Sequence, residues 1–202
     1  MTPKILLLFS ASIAIPAGAQ TLQGQALVTA LQQGGYIIVM RHASSPREAP
    51  GKETANADNV RLERQLDEDG RATAAAMGKA LRELKIPIDE VLTSPTYRAL
   101  ETVKYAQFGP PHPMAELGDN GQSMKGGTEA QAMWLRNRLK NFPHLANTII
   151  VTHAPNLMQA FPKDAAGVAD GEALIFGPDG KGGAKLVARV KIDEWPKLAA
   201  AK

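Results

Sequence analysis

The chain has 202 residues, of which 44% are hydrophobic, and a formal net charge of +3. This length and composition are typical of one globular domain with a sizeable core. The absence of cysteine excludes disulfides, thiolate chemistry and a lipoprotein anchor. Nucleic-acid binding is not expected, because the lysines and arginines form no cluster interleaved with aromatic residues.

The N-terminus has the pattern of an export signal. Lys4 supplies a positive charge, Ile5 to Ile15 form an apolar run, and Pro16 to Ala19 are mostly small residues. The run is too short to span a bilayer, and the small residues have the spacing of a signal-peptidase site. We predict a signal peptide over residues 1–19, cut after Ala19, and a single domain over 20–202.

Export without cysteines indicates a periplasmic or secreted protein with no stable membrane insertion after cleavage. An uncleaved N-terminal anchor is the alternative. Loss of Lys4 lowers the net charge from +3 to +2, which favours anionic small molecules or an anionic envelope surface only weakly.

Helical and strand-like patterns alternate along the rest of the chain. The predicted helices are 22–33, 67–84, a helix begun by Ser94-Pro95, 128–140 and 157–161. The predicted strands are 36–40, 88–93 and 147–152, followed by a closing hairpin of 172–176 and 185–192. Polar or Pro/Gly-rich loops are predicted over 44–66 and 107–127. This order indicates an α/β fold with a largely parallel sheet.

Basic residues follow each of the three apolar strands. Arg41 and His42 end the first strand, Arg98 lies in the helix after the second, and His153 follows the third. Ligands of parallel sheets bind beyond the carboxyl ends of the strands, so these four side chains are expected to converge there. Arginine forks and imidazoles aimed at one point fit a phosphoryl group best.

Four sequence motifs resemble those of the histidine phosphatase (phosphoglycerate mutase-like) superfamily. The motifs, in chain order, are Arg41-His42-Ala43, Leu66-Asp67-Glu68-Asp69-Gly70-Arg71-Ala72, Ser94-Pro95-Thr96-Tyr97-Arg98-Ala99-Leu100-Glu101-Thr102 and Thr152-His153-Ala154. They cover nearly the whole chain after the signal, at ordinary spacing. The resemblance implies a three-layer α/β/α sandwich with a mostly parallel central sheet and a C-terminal hairpin.

The resemblance also implies roles for the four basic residues. His42 would attack phosphorus and become a phosphohistidine, while Arg41, Arg98 and His153 would hold the phosphoryl oxygens. Ser45 and Asn156 complete the predicted phosphate-binding set, although Asn156 is the better candidate for a helix cap. No metal or other cofactor is expected, because the histidines show no metal-ligand spacing.

Two features depart from the family pattern or stay open. Alanine replaces the glycine of both histidine motifs, at Ala43 and Ala154, and is tolerated if the backbone φ stays negative. A proton donor for the leaving group is expected from a carboxylic acid. Glu116 is the first choice and Glu172 the second, and some small members of the superfamily lack this acid.

The predicted function is hydrolysis of phosphate monoesters outside the cytoplasm, with specificity carried by loops 46–66 and 107–127. The substrate would be a phosphorylated small molecule or an envelope sugar phosphate, because periplasmic relatives resembling lipopolysaccharide core heptose phosphatases exist. A non-catalytic phospholigand-binding module on the same fold and a phosphomutase are the alternatives.

Overall fold

The computed structural model describes residues 21–46, 64–119 and 127–201. Within these ranges the helices are α1 (Gly24–Gln33), α2 (Glu68–Glu83), α3 (Tyr97–Ala106), α4 (Gly127–Arg138), α5 (Ala154–Ala160) and α6 (Glu194–Ala200). The strands are β1 (Ile37–Arg41), β2 (Ile88–Thr93), β3 (His112–Pro113), β4 (Asn147–Thr152), β5 (Ala173–Pro178) and β6 (Ala184–Val190). The predicted signal peptide (1–19) and most of the predicted 44–66 loop lie outside the described residues.

The six strands form one mixed sheet in the order β3-β2-β4-β1-β5-β6. Strands β1, β2, β3 and β4 are parallel, whereas β5 pairs antiparallel with β1 and with β6. The mostly parallel sheet with a closing hairpin is therefore confirmed. The central pair, β1 and β4, is buried along almost its whole length, which explains why both strands are continuous apolar or β-branched runs.

Helices cover both faces of the sheet, which confirms the three-layer sandwich. Side chains of β1 alternate between the two sides: Ile38 and Met40 pack with α1, α2, α3 and α6, and Ile37 and Val39 pack with α4 and α5. This alternation is the ordinary period of a strand with a core on each face. The carboxyl ends of β1 and β4 are thereby held between two rigid layers.

Helix α2 begins against the segment that follows β1. Asp67 is its N-cap, and the Asp67 carboxylate accepts hydrogen bonds from Gly70 N (2.6 Å) and from Ser44 Oγ (2.7 Å). A Cβ on Gly70 would lie 2.1 Å from Ser44 O, and one on Gly78 would lie 1.8 Å from Ala106 O. Both glycines are required because the backbones approach too closely for any side chain.

Three helices differ from the prediction. Helix α3 has Thr96, not Ser94, as its N-cap, and the Ser94 hydroxyl accepts from Thr96 N at 3.2 Å in the turn before the helix. Helix α5 begins at Ala154 rather than at 157. The C-terminal residues form a helix that was not predicted, α6, which is fixed by the fully buried Trp195.

The two edge strands of the sheet differ in length. At one end, β3 has only two residues. At the other, β6 has seven residues, and the chain entering α1 runs beside it, with Leu22 N donating to Val187 O at 2.7 Å. Within the described ranges, no helix combines the length and the apolar character that crossing a membrane would need.

Candidate active site

The two predicted site histidines meet at the carboxyl edge of the central strands. The register of β1 and β4 aligns Arg41 with Thr152, so the next residues, His42 and His153, are also neighbours. His42 N donates to Thr152 O at 3.0 Å. The imidazole centroids are 5.2 Å apart with the ring planes at 64°, and both residues are almost completely buried.

Arg98 reaches the same point from α3. Ser94, just after β2, donates its N–H to Val151 O at 2.8 Å, which places the start of α3 beside the end of β4. Thr102, one turn further along α3, donates to Arg98 O at 2.9 Å and accepts from Ala43 N at 3.0 Å. The backbones of Arg98 and of Ala43, the residue after His42, therefore bond to the same hydroxyl, that of Thr102.

The Arg98 guanidinium contacts both histidines. Its Nε donates to His42 Nε2 at 3.2 Å, and its Nη2 donates to His153 Nδ1 at 3.2 Å. The same Nη2 forms an ion pair with the carboxylate of Asp119. Arg98 is only 5% exposed, so its charge acts in a medium of low polarity, where electrostatic interactions are strong.

The hydrogen bonds of His42 fix its tautomer. Nδ1 lies 2.8 Å from Ala43 O, and because a carbonyl oxygen only accepts, Nδ1 carries the proton. Nε2 then carries the lone pair, which agrees with its acceptance of the Arg98 Nε proton. The unprotonated nitrogen of His42 thus faces the guanidinium, as a nucleophile directed at a bound phosphoryl group would.

His153 has the opposite tautomer. Its Nδ1 accepts from Arg98, since a guanidinium can only donate. Its Nε2 therefore carries the proton and faces the hydroxyls of Ser94 at 2.9 Å and Thr96 at 3.3 Å. The Ser-Pro-Thr turn before α3 thus orients this ring as well as placing Arg98.

Both histidines are neutral near pH 7. Burial, followed by the charge of Arg98, lowers the pKa of His42 to about 3. Burial lowers the pKa of His153 well below its usual value, and the nearby His42 and Arg98 lower it further. A neutral imidazole keeps its lone pair available for attack over a wide pH range.

Arg41, the last residue of β1, is held by the segment before β5. Its Nη1 donates to Val168 O at 3.2 Å, and its Nη2 lies 2.6 Å from Asp170 Oδ1. In the part of the chain that the structure describes, Arg41 Nε is shielded from solvent and has no hydrogen-bond partner. Its charge also contributes to the low pKa of both histidines, which places it within electrostatic reach of them.

The two remaining predicted phosphate ligands bond to protein groups. Ser45 Oγ donates to Gln65 O at 2.8 Å. Asn156 is not the N-cap of its helix, because His153 takes that position. Its Nδ2 instead donates to Gly118 O at 2.8 Å and to Thr152 Oγ1 at 3.0 Å, so the preferred interpretation of Asn156 as a cap was wrong.

Neither carboxylate proposed as the acid contacts the histidines. Glu116 lies in a 3-10 turn (Ala115–Leu117) and makes no hydrogen bond or ion pair among the described residues. Glu172 accepts hydrogen bonds at 2.8 Å from Arg189 Nε and from Ala169 N. Burial raises the pKa of Glu172, but these bonds outweigh burial and leave it below its usual value, the opposite of what a proton donor needs.

Sequence reasoning missed two charged residues of the site. Asp119 pairs with Arg98, and its Oδ1 lies 3.9 Å from His153 Nδ1. Arg64 donates from Nη2 to Ser45 O at 3.1 Å, and its charge helps lower the pKa of both histidines. Arg64 had a usable signal, because it stands two residues before the Leu66-Asp67 motif. Asp119 lies in a Pro/Gly-rich loop without periodicity.

The two motif alanines are accommodated as predicted. Among the described residues other than glycine, a positive φ occurs only at Lys85 and Gln107. Ala43 and Ala154 therefore keep the ordinary backbone conformation that alanine tolerates.

Residues 37–133 match the sequence model of the histidine phosphatase superfamily (branch 1). Over these residues, which make up just under half of the chain, the protein is similar to that superfamily, and solved histidine phosphatases share its fold. The match includes His42 and Arg98, and the pairing of β1 with β4 adds His153 to the same site. No curated protein matches the chain.

Solved structures share the fold of this chain at low identity. The protein histidine phosphatase SixA complexed with tungstate has 17% identity and a TM-score of 0.55, over 79% of this chain and 98% of that one. A phosphoserine phosphatase mutant from Entamoeba histolytica in complex with phosphoserine has 14% identity and a TM-score of 0.52, over 78% and 97%. YhfR from Bacillus stearothermophilus has 18% identity and a TM-score of 0.52, over 75% and 94%.

Proposed function

We propose that this protein is a phosphatase that hydrolyses phosphate monoesters through a phosphohistidine on Nε2 of His42. The observation that carries the proposal is the lone pair of a buried, neutral imidazole facing the Arg98 guanidinium. That arrangement pairs a nucleophile with the cation that its phosphoryl target needs.

In the first step, Nε2 of His42 forms a bond to phosphorus while the ester P–O bond breaks. The phosphoryl oxygens would draw the Arg98 N–H groups away from His42 Nε2, since charged oxygens are stronger acceptors than imidazole nitrogen. Arg41 Nε, which has no partner in the described part of the chain, is suited to donate to a second oxygen. These arginines would stabilise the negative charge of the transition state.

In the second step, water attacks phosphorus and the P–N bond breaks. The products are inorganic phosphate and neutral His42. His153 Nδ1 lies 3.2 Å from Arg98 Nη2, so it would also lie beside a phosphoryl group bound there. A proton on this nitrogen would let His153 donate to the third oxygen, with the imidazolium charge offset by the phosphate.

The substrate class follows from the site and from the proposed location. We infer an exported enzyme from the signal-like residues 1–19, and hence a phosphorylated small molecule or envelope sugar phosphate outside the cytoplasm. The structural neighbours named as a protein histidine phosphatase and a phosphoserine phosphatase add two substrate classes to test. Sequencing the N-terminus of the protein from periplasmic extract should find Gln20 first, and retention of Met1 would contradict the export proposal.

The decisive experiment combines turnover with trapping of the intermediate. Purified wild type should hydrolyse p-nitrophenyl phosphate, and His42→Ala should abolish this activity. The matched control is His144→Ala, which changes an exposed histidine. Incubation with a ³²P-labelled ester and an acid-free quench should label wild type in an acid-labile form and leave His42→Ala unlabelled.

Three results would contradict the proposal. Full turnover by His42→Ala would overturn the mechanism. Binding of phosphate esters without labelling or turnover would favour the non-catalytic module. Transfer of the label to an added alcohol, rather than to water, would favour a phosphomutase.

A further inference from the structure

Asp119 is a carboxylate at the edge of the cluster formed by Arg98 and the two histidines. Its carboxylate pairs with Nη2 of Arg98, and its Oδ1 is 3.9 Å from His153 Nδ1. The Asp119 side chain is 26% exposed, whereas the side chains of Arg98 and His153 are 6% and 2% exposed. Asp119 is therefore the most solvent-accessible of these three side chains.

The backbone before Asp119 is fixed by buried side chains. Thr152 Oγ1 donates to Leu117 O at 3.0 Å. Gly118 O accepts from Asn156 Nδ2 and from Gln131 Nε2, both at 2.8 Å. Thr152, Asn156 and Gln131 are each 0% exposed. Burying polar side chains is costly unless they are hydrogen-bonded, and here they hold the two carbonyls that precede Asp119.

We propose that Asp119 is the proton donor to the leaving group and that Thr152, Asn156 and Gln131 are its positioning residues. This inference rests on the proposed phosphatase function. Under this inference Asn156, Gln131 and the Thr152 hydroxyl all act to hold the backbone that precedes Asp119. It also assigns the acid role to a carboxylate in contact with Arg98, in place of Glu116.

Substrate binding itself would place the proton on Asp119. A phosphate dianion competes with the carboxylate for the Arg98 guanidinium. Two anions that share one cation at short range are strongly disfavoured, and a proton on one of them relieves the repulsion. The carboxylic acid then stands beside the ester oxygen with its proton available.

The proton is conserved through the cycle. As Nε2 of His42 bonds to phosphorus and the P–O bond breaks, the Asp119 proton passes to the ester oxygen and the alcohol leaves neutral. The Asp119 carboxylate then takes a proton from the attacking water as the P–N bond breaks. This step leaves Asp119 protonated and His42 neutral, as they were in the complex with substrate, and inorganic phosphate is then released.

The test is the dependence of rate on the leaving group. Asp119→Asn keeps the size and polarity of the side chain and removes the acid. We expect a loss of about 10²–10⁴-fold in kcat for phosphoserine, whose alkoxide needs a proton. For p-nitrophenyl phosphate, whose phenolate leaves unassisted, we expect a change of less than about tenfold. Glu116→Gln is the matched control and should behave as wild type with both substrates.

If Asp119 served only to hold Arg98, Asp119→Asn would lower kcat equally for both substrates. That result would overturn the inference. The inference also fails if Glu116→Gln shows the leaving-group dependence. Either result would leave the phosphohistidine on His42 intact, so failure of this inference is distinct from failure of the proposed function.

The positioning residues are tested by Gln131→Met, which removes one of the donors to Gly118 O and keeps the side-chain length. It should reproduce the Asp119→Asn pattern more weakly, with kcat for phosphoserine reduced and KM little changed. Gln131→Asn, with its shorter amide, measures how far the chemistry tolerates displacement of the donor. Equal slowing of aryl and alkyl esters in Gln131→Met would show a merely structural role and would contradict the positioning claim.

Discussion

Arg98 Nε donates a hydrogen bond to Nε2 of His42 across 3.2 Å. The Arg98 guanidinium, which would bind the phosphoryl group, is thus hydrogen-bonded to the His42 lone pair that would attack it. Attack requires Arg98 to change acceptors, from imidazole nitrogen to phosphoryl oxygen. The site is therefore organised around an exchange of hydrogen-bond partners at a single guanidinium.

Replacing Arg98 by lysine should separate charge from geometry. Lysine keeps the positive charge but lacks the planar fork, so it cannot serve His42, His153 and Asp119 together. We expect kcat/KM for p-nitrophenyl phosphate to fall by about 10²–10³-fold. Arg136→Lys, in α4, changes a side chain that is 41% exposed; it is the matched control and should keep full activity. An Arg98→Lys enzyme as active as that control would contradict the role assigned to the fork.

The low pKa values of His42 and His153 predict a dependence of stability on pH. Both histidines are neutral in the folded protein, and the pKa of His42 is about 3. In the unfolded chain a histidine takes up a proton below about pH 6.5. Between about pH 6.5 and 3 the unfolded state therefore binds more protons, so stability falls as the pH falls through this window.

Denaturant unfolding between pH 7 and pH 4 measures this effect. Each buried histidine should contribute a slope approaching about 1.4 kcal/mol per pH unit. His42→Gln should remove one such contribution, and the exposed His144→Gln should remove none. NMR resonances of the His42 and His153 rings should not shift between pH 5 and 8. A ring that titrates near pH 6.5 would show that the site is more open to water than the structure indicates.

Alanine at Gly70 or Gly78 should destabilise the protein, although alanine is the better helix former by about 1 kcal/mol. The new Cβ would lie 2.1 Å from Ser44 O or 1.8 Å from Ala106 O. Overpacking of this kind costs about 1–3 kcal/mol or more. Thermal unfolding measures the loss for both variants.

The two glycine variants should differ in activity. Gly70 packs against Ser44, two residues after His42, whereas Gly78 packs against the end of α3. Below the unfolding transition, Gly70→Ala should lower kcat/KM and Gly78→Ala should not. Equal activity of the two variants would show that the segment after His42 tolerates displacement.

The Arg189–Glu172 pair should support Arg41 from a distance. Glu172 O accepts from Arg41 N at 3.2 Å, and Arg189 also donates to Ala166 O at 3.0 Å. Arg189→Met would leave the buried Glu172 carboxylate with one donor fewer. We expect a loss of about 1–3 kcal/mol in stability and up to about 10²-fold in kcat/KM, through displacement of Arg41.

The double variant Arg189→Met with Glu172→Gln tests the cause of that loss. It should recover part of the stability, because no unpaired charge remains. Lys185→Met, at an exposed position of the same strand, should change neither stability nor activity. If Arg189→Met alone behaves like Lys185→Met, the segment before β5 holds Arg41 without help.

The convergence of His42, Arg98 and His153 could be predicted because it needs only strand order. Parallel strands deliver their carboxyl ends to one edge, and each apolar run ends just before its basic residue or the turn leading to it. Hydrogen-bond partners could not be predicted, since they depend on side-chain packing between elements distant in sequence. The pairing of Arg98 with Asp119 crosses 21 positions, through a Pro/Gly-rich stretch with no period.

The sequence contained a signal, Pro155, that argued against Asn156 as an N-cap. Asparagine leads N-cap preferences, which favoured a helix beginning after it. Pro155 is the stronger signal, because proline is enriched in the first turn of a helix. Helix α5 indeed has this proline in its first turn and His153 as its N-cap. Asn156 was thereby free to turn its amide inward, to the carbonyl of Gly118.

The hydrogen bond from Leu22 N to Val187 O has a consequence for solubility. An uncovered outer strand offers unpaired N–H and C=O groups to other chains and invites aggregation. The β3 edge has only two residues with unpaired backbone groups, whereas β6 is long enough to pair with a strand of another chain. The segment entering α1 lies along β6 and covers part of it. A trimmed protein that begins after Leu22 would keep its catalytic groups yet expose this strand, and should self-associate on storage.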